Sequence, residues 1–239
     1  MTPRPGFDAF WTSRGKGYVT VANRLATSHA AAVIAYASAR LGLTPNQVTL
    51  LSFLCGAGCF LLALGLPVDR PVLSVVVIVI AAELTLVLDC ADGLLARVTG
   101  QATPSGNLLD HTLDIASQSC ALSAIFVYAY RSGLALEDLA IANAALIVGF
   151  LFLVARATRH VAIHLSESAL DPRSAASLSQ GNGLTSFLTN LLEYQASMVA
   201  ALAYLVSPLA CLALFALQAV MCAAAVTRRL VRVLALERA

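Results

Sequence analysis

Residues 71–114 decide the fold, and they read PVLSVVVIVIAAELTLVLDCADGLLARVTGQATPSGNLLDHTLD. This stretch opens with a long, almost entirely apolar run, and Asp89 follows Pro71 by 18 residues. At 1.5 Å per residue, Asp89 lies about 27 Å along a helix, close to the far side of a hydrocarbon core ~30 Å thick. We therefore predict a membrane-spanning helix that reaches one membrane face with two carboxylates, Asp89 and Asp92.

The composition of the whole chain agrees with a membrane protein. Of the 239 residues, 59% are hydrophobic and 12% are charged, whereas roughly 25% charged residues is usual in soluble domains. So few charged side chains cannot cover the surface of a soluble fold of this length. A net charge of +2 also gives no reason to expect a nucleic-acid partner.

Six stretches are long and apolar enough to cross a bilayer as helices. They are Pro45–Leu66, Pro71–Val98, Asn107–Tyr130, Leu136–Ile163, Leu184–Val206 and Pro208–Val226. Three of them begin with a proline, which a helix tolerates in its first turn. Residues 18–43 carry charges at both ends and fit an amphipathic helix at the interface better than a seventh span. We predict an all-α integral membrane protein, residues 1–239 forming a single domain: an N-terminal interfacial amphipathic helix (18–43) and a core of six transmembrane helices (45–226).

The cationic residues predict the orientation of this fold. Six spans put both chain ends on one side of the membrane, and 13 of the 15 Lys and Arg residues fall on that side, leaving only Arg70 and Arg131 on the other. Cytoplasmic loops are enriched in Lys and Arg. We therefore expect cytoplasmic termini in a cytoplasmic membrane, and the alanine-rich chain is typical of bacteria.

Two pairs of carboxylates flank the loop between the second and third spans. Asp89 and Asp92 are separated by three positions and Asp110 and Asp114 by four, so each pair projects from one helix face. Both helices meet the same membrane surface, which brings the four carboxylates together. Protons or cations must neutralise such a group. Oxygen ligands suit Mg²⁺ or Mn²⁺, and two such ions about 3.5–4 Å apart can stabilise a phosphoryl group during displacement.

The residues after Asp92 favour a phosphate-containing ligand. Gly93 and Ala96 carry almost no side chain, so a flat group can approach the backbone there. Arg97 lies at the water boundary, where its guanidinium can bind phosphate oxygens bidentately. Together with the metal ions, these residues indicate a nucleotide diphosphate.

The run resembles the D-x-x-D-G-x-x-A-R-x8-G-x-x-x-D-x-x-x-D motif of the CDP-alcohol phosphotransferase family, integral membrane enzymes of phospholipid synthesis. The matching residues are Asp89, Asp92, Gly93, Ala96, Arg97, Gly106, Asp110 and Asp114. The segment LTPNQVT, residues 43–49, is similar to the family's Pro-Asn start of its first span. An interfacial helix followed by six spans also resembles the family architecture. The resemblance implies an enzyme that cleaves the pyrophosphate of a CDP-linked substrate and releases CMP.

The resemblance also implies roles for single residues. The ligands of two Mg²⁺ or Mn²⁺ ions would be Asp89, Asp92, Asp110 and Asp114. Asp114 would in addition be the catalytic base for the acceptor hydroxyl, which agrees with its position beside the metals. The CDP moiety would contact Gly93, Ala96 and Arg97, with Asn46 as a further candidate. Arg156 and Arg159 are candidates for binding an acceptor's phosphate, and equally for anchors that reach the lipid headgroups.

The sequence thus predicts transfer of a substituted phosphate from a CDP-linked donor, preferably CDP-diacylglycerol, to a small polar alcohol. One alternative takes a soluble CDP-alcohol of the choline or ethanolamine type as donor and diacylglycerol as acceptor, because His111 after Asp110 is similar to that branch of the family. A cation transporter lined by carboxylates is the alternative from another class. Transport sites lie near the bilayer midplane, whereas these carboxylates lie toward one face. The expected partners are a CDP-linked substrate, an alcohol acceptor, membrane lipid and, by family resemblance, a second copy in a homodimer.

Overall fold

The computed structural model describes residues 5–14, 27–169 and 194–236. Their elements are α1 (Phe7–Ser13), α2 (Ser28–Leu41), α3 (Pro45–Gly65), α4 (Pro71–Thr99), α5 (Pro104–Ala135), α6 (Leu139–Ala169), α7 (Tyr194–Leu202), a 3-10 turn (Ala203–Leu205) and α8 (Pro208–Leu236). The described ranges contain no β-strand, so the all-α prediction is confirmed for them. The chain forms two compact units, Met1–Tyr128 and Ala129–Ala239.

Five of the described helices are long and apolar enough to cross a membrane. They are Pro45–Gly65, Pro71–Thr99, Pro104–Ala135, Leu139–Ile163 and Pro208–Val231. They correspond to the predicted first, second, third, fourth and sixth spans. The predicted fifth span, Leu184–Val206, lies partly outside the described residues, and its described part consists of α7 and the 3-10 turn. An integral membrane protein is therefore supported, with five candidate spans in the described part of the chain.

The predicted interfacial helix over residues 18–43 also lies partly outside the described residues. Its described part is α2, which packs against α4. The face that α2 buries is made of small residues, namely Ser28, Ala31, Ala32, Ala35 and Ser38. Helix α1 adds Phe10, which is fully buried and whose ring centroid lies 5.9 Å from that of Tyr36 on α2. Small side chains let two helix backbones approach closely, so α1 and α2 are held on the helix that carries Asp89 and Asp92.

Proline begins four of the five candidate spans, as the sequence predicted for α3, α4 and α8. At α3 the preceding Thr44 completes a capping box with Gln47: the Gln47 backbone N–H donates to Thr44 Oγ1 at 3.4 Å and the Thr44 N–H donates to Gln47 Oε1 at 2.8 Å. Helix α5 also begins at a proline, Pro104, three residues before the predicted start at Asn107. The hydroxyl of Thr103 accepts a hydrogen bond from the Gly106 N–H at 3.0 Å, which satisfies one of the free donors of this helix end.

The loop between α4 and α5 is short because the end of α4 and the start of α5 are both capped. Gly100 adopts φ +67°, the left-handed conformation that glycine takes at low cost. The Gln101 N–H then donates to the Ala96 carbonyl at 2.9 Å. Only residues 100–103 separate the two helices, so the last turns of α4 and the first turns of α5 lie at the same end of the unit.

Helix α3 runs antiparallel to α4 and parallel to α5. Ser52 Oγ donates to the Thr85 carbonyl at 2.9 Å, and further along α3 Cys59 Sγ is 3.6 Å from the carbonyl oxygen of Ile78, earlier on α4. The same sulfur is 3.8 Å from the carbonyl oxygen of Ala121 on α5. The starts of α3 and α5 and the end of α4 therefore share one end of the bundle.

Candidate active site

Four carboxyl groups meet at that shared end of the first unit. Asp89 and Asp92 project from α4, and Asp110 and Asp114 project from α5. The Asp89 carboxyl group is next to that of Asp114, and the Asp92 carboxyl group is next to that of Asp110. We call these four residues the carboxylate cluster. The structure thus brings together all four acidic residues that the sequence singled out.

Several buried oxygens of this cluster accept no hydrogen bond of normal geometry from the described residues, although the Thr49 side chain and the Gly93 N–H lie next to Asp92. These oxygens are one each of Asp89 and Asp110 and both oxygens of Asp92. The Asp92 side chain is only 2% exposed. A buried carboxylate without donors is costly unless a cation or a proton compensates it. An all-oxygen set of this kind fits Mg²⁺ or Mn²⁺, so the residues present suit the ions that the resemblance implies.

The group of side chains close enough to share a metal ion includes His111, which is not among the ligands predicted from the sequence. One ligand atom from each of Asp110, His111 and Asp114 lies within 4.8 Å of the others. His111 also lies within electrostatic reach of Asp89. His111 directly follows Asp110 in the sequence, but successive residues of a helix usually point in different directions. Only the fold shows that this side chain returns to the group.

Arg97 folds back over Gly93. A Cβ atom built on Gly93 would lie 3.3 Å from Arg97 Nη1, so the absence of a side chain at 93 leaves room for the guanidinium. Arg97 is exposed and within electrostatic reach of Asp110. Ala96 is half-buried on the same helix. A donor of bidentate hydrogen bonds therefore lies beside the carboxylate cluster, at the exposed end of α4.

The first turn of α3 contributes two further polar residues. Asn46 lies against the start of α5, since a Cβ atom on Gly106 would be 3.2 Å from Asn46 Oδ1. Thr49 is 4% exposed and neighbours Asp92, while its hydroxyl donates to the Pro45 carbonyl at 3.2 Å. Thr49 was missed in the sequence, although its spacing from Asn46 places both on one face of the helix.

Arg156 and Arg159 lie on α6, within the second unit. The Arg156 guanidinium lies 5.6 Å from the centroid of the Tyr194 ring on α7, a distance at which a cation and an aromatic face attract. Both arginines are partly exposed. Both side chains therefore remain partly accessible within their own unit.

Comparison with known proteins agrees with the geometry. The model of a family described as CDP-alcohol phosphatidyltransferase matches residues 42–231, which include every residue of the carboxylate cluster. An archaetidylinositol phosphate synthase of Pyrococcus horikoshii is 34% identical over 87 residues, which cover 36% of this chain and 43% of the relative. The match thus spans less than half of that relative's length. Because the family model covers most of the chain, the chain belongs to the CDP-alcohol phosphatidyltransferase family.

Proposed function

We propose that this protein is a membrane transferase that moves a substituted phosphate from a CDP-linked donor to an alcohol and releases CMP. The observation that carries the proposal is the carboxylate cluster, whose buried oxygens accept no hydrogen bond of normal geometry within the described residues and lie within electrostatic reach of Arg97, which is exposed. A transporter is less well supported, because cation transit leaves Gly93 and Arg97 without a role.

Each part of the cluster has a role in this reaction. Asp89, Asp92 and Asp110 would hold two Mg²⁺ or Mn²⁺ ions, with Asp114 beside them. When bound, such ions supply positive charge that stabilises the phosphoryl group and the leaving oxygen. Asp114 accepts the proton of the acceptor hydroxyl as its oxygen forms a bond to phosphorus. The bond from that phosphorus to the CMP oxygen breaks, and CMP leaves with the electron pair.

The remaining polar residues would bind the donor. Arg97 would pair with the phosphate oxygens of the CDP moiety. Gly93 and Ala96 would leave the backbone of α4 accessible to the nucleotide, and Asn46 is a further contact candidate. CDP-diacylglycerol is the proposed donor, with the active site and both termini on the cytoplasmic side of a bacterial membrane. We also propose a single functional domain, residues 1–239, that acts as a homodimer.

The direct test is CMP release by purified protein in lipid nanodiscs with Mn²⁺ or Mg²⁺. One arm supplies CDP-diacylglycerol with a panel of alcohols and their phosphates, beginning with inositol phosphate because of the name of the relative. The second arm supplies CDP-choline or CDP-ethanolamine with diacylglycerol. Release in the first arm alone supports the proposal, and release in the second alone supports the alternative donor. If neither arm releases more CMP than control samples that contain EDTA, the proposed reaction is contradicted.

Arg156 and Arg159 offer a test of the acceptor. If they bind an acceptor's phosphate, Arg156→Ala and Arg159→Ala should each raise the KM for a phosphorylated acceptor by about tenfold or more, since a charged hydrogen bond contributes ~1.5–3 kcal/mol. The KM for the CDP-linked donor should not change. Arg228→Ala is the matched control, because Arg228 is an exposed cation near the end of α8. An unchanged acceptor KM in both variants would favour a role as membrane anchors.

A further inference from the structure

Helix α3 approaches α5 more closely at Gly56 than any side chain allows. A Cβ atom built on Gly56 would lie 2.4 Å from the carbonyl oxygen of Ser117 and 3.0 Å from its carbonyl carbon and Cα. All three atoms are backbone, so no rotamer change can relieve the overlap. Gly56 is itself buried. Any larger residue at position 56 must therefore push α3 and α5 apart.

This contact lies one turn from the carboxylate cluster. Ser117 Oγ donates to the Asp114 carbonyl at 3.1 Å, and α5 is continuous through Asp110, Asp114 and Ser117. A shift of the α5 backbone at Ser117 is therefore transmitted to both carboxylates of α5. Packed helices move as rigid bodies because interiors are close-packed.

Helix α3 also contacts α4 through side chains that reach backbone carbonyls. Ser52 Oγ donates to the Thr85 carbonyl at 2.9 Å, and Cys55 Sγ lies 3.7 Å from the Ala81 carbonyl oxygen. Cys59 contacts carbonyls of both α4 and α5, at 3.6 Å and 3.8 Å. Helix α3 thus contacts the two helices that carry the carboxylate cluster and acts as their spacer.

We propose that Gly56 and Cys59 are positioning residues that set the distance between the α4 pair and the α5 pair of carboxylates, and thereby the affinity of the site for divalent cations. The inference deepens the proposed function and rests on it. Neither residue belongs to the carboxylate cluster, so both would act only through the placement of Asp89, Asp92, Asp110 and Asp114.

The test measures Mn²⁺ binding directly, from the electron paramagnetic resonance signal of free Mn²⁺ above protein in nanodiscs. Gly56→Ala should raise the Mn²⁺ dissociation constant on the order of 10-fold or more, as loss of supporting residues around metal sites does. Cys59→Ala removes the thiol contacts with α4 and α5 without adding atoms. It should also raise the Mn²⁺ dissociation constant, but by a smaller factor. Gly58→Ala is the matched control on the same helix, since a Cβ there meets nothing within 4 Å.

A variant in the second unit distinguishes a specific effect on Mn²⁺ binding from general destabilisation of the protein. Phe152→Leu weakens the contact with Phe215, whose ring centroid is 4.9 Å away, and should lower the melting temperature without changing the Mn²⁺ dissociation constant. If Gly56→Ala does not fold, Cys59→Ala decides. Wild-type affinity in the folded variants would overturn the inference and leave the metal site intact. A wild type that binds no Mn²⁺ would instead overturn the proposed function, and this inference with it.

Discussion

Replacing Asp114 with Asn is expected to abolish turnover while the CDP-linked substrate still binds. The amide keeps the shape of the carboxyl group but cannot take the proton of the acceptor hydroxyl. General bases contribute ~10²–10⁴-fold to rates, so CMP release should fall by about that factor. The measurement is CMP release at saturating donor and acceptor, combined with equilibrium binding of CDP-diacylglycerol in nanodiscs.

The control for this variant is Asp69→Asn, which changes an exposed aspartate in the loop before α4. It should leave both CMP release and donor binding unchanged. Near-normal CMP release by Asp114→Asn would remove Asp114 from the role of base. If Asp114→Asn instead loses Mn²⁺ binding to the same extent as it loses turnover, the main role of Asp114 is that of a metal ligand.

Asp92→Asn is expected to separate stability from activity. Both Asp92 oxygens are buried and accept no hydrogen bond of normal geometry, and Asp110 is a neighbouring anion. A neutral amide removes the uncompensated charge and can donate to the Asp110 carboxylate, which is worth ~1–3 kcal/mol. In EDTA the variant should therefore melt about 2–10 °C above the wild type. With Mn²⁺ it should bind at least ~100-fold more weakly than the wild type, and CMP release should be lost.

Two measurements check this variant: thermal unfolding in nanodiscs with EDTA, and Mn²⁺ binding at fixed temperature. The same Asp69→Asn control should shift neither quantity. A lower melting temperature in EDTA would mean that Asp92 is stabilised by groups other than a cation. Wild-type Mn²⁺ affinity would exclude Asp92 from the ligand set.

The carboxylate cluster was predictable because it depends only on local rules. The spacing of Asp89 and Asp92, and of Asp110 and Asp114, fixes their helix faces, and a short loop between two spans brings those faces to one membrane surface. The start of α5 was less predictable, because residues 99–106 contain few apolar side chains and the span was therefore predicted to begin at Asn107. Capping of Gly106 by Thr103 extends the helix to Pro104 instead.

Contacts between distant segments could not be read from one sequence. A glycine in a spanning helix has no local pattern that identifies its partner, and Ser117 lies in a different helix from Gly56. Thr49 reads as an ordinary residue of a first helical turn until α4 places Asp92 beside it. Helical periodicity places Arg156 on one face of its helix but does not identify the ligand that approaches that face.

The hydroxyl and thiol contacts of α3 have a consequence for the medium in which the protein is handled. Ser52 and Cys59 donate to carbonyls of neighbouring helices, and lipid offers no competing donor or acceptor for them. Water that enters through a short-chain detergent does compete, whereas the backbone hydrogen bonds within each helix are shielded by the helix itself. The spacing of the helices is therefore more sensitive to solvent than their helicity. A sample that retains full helical content can already have lost the geometry of its carboxylates.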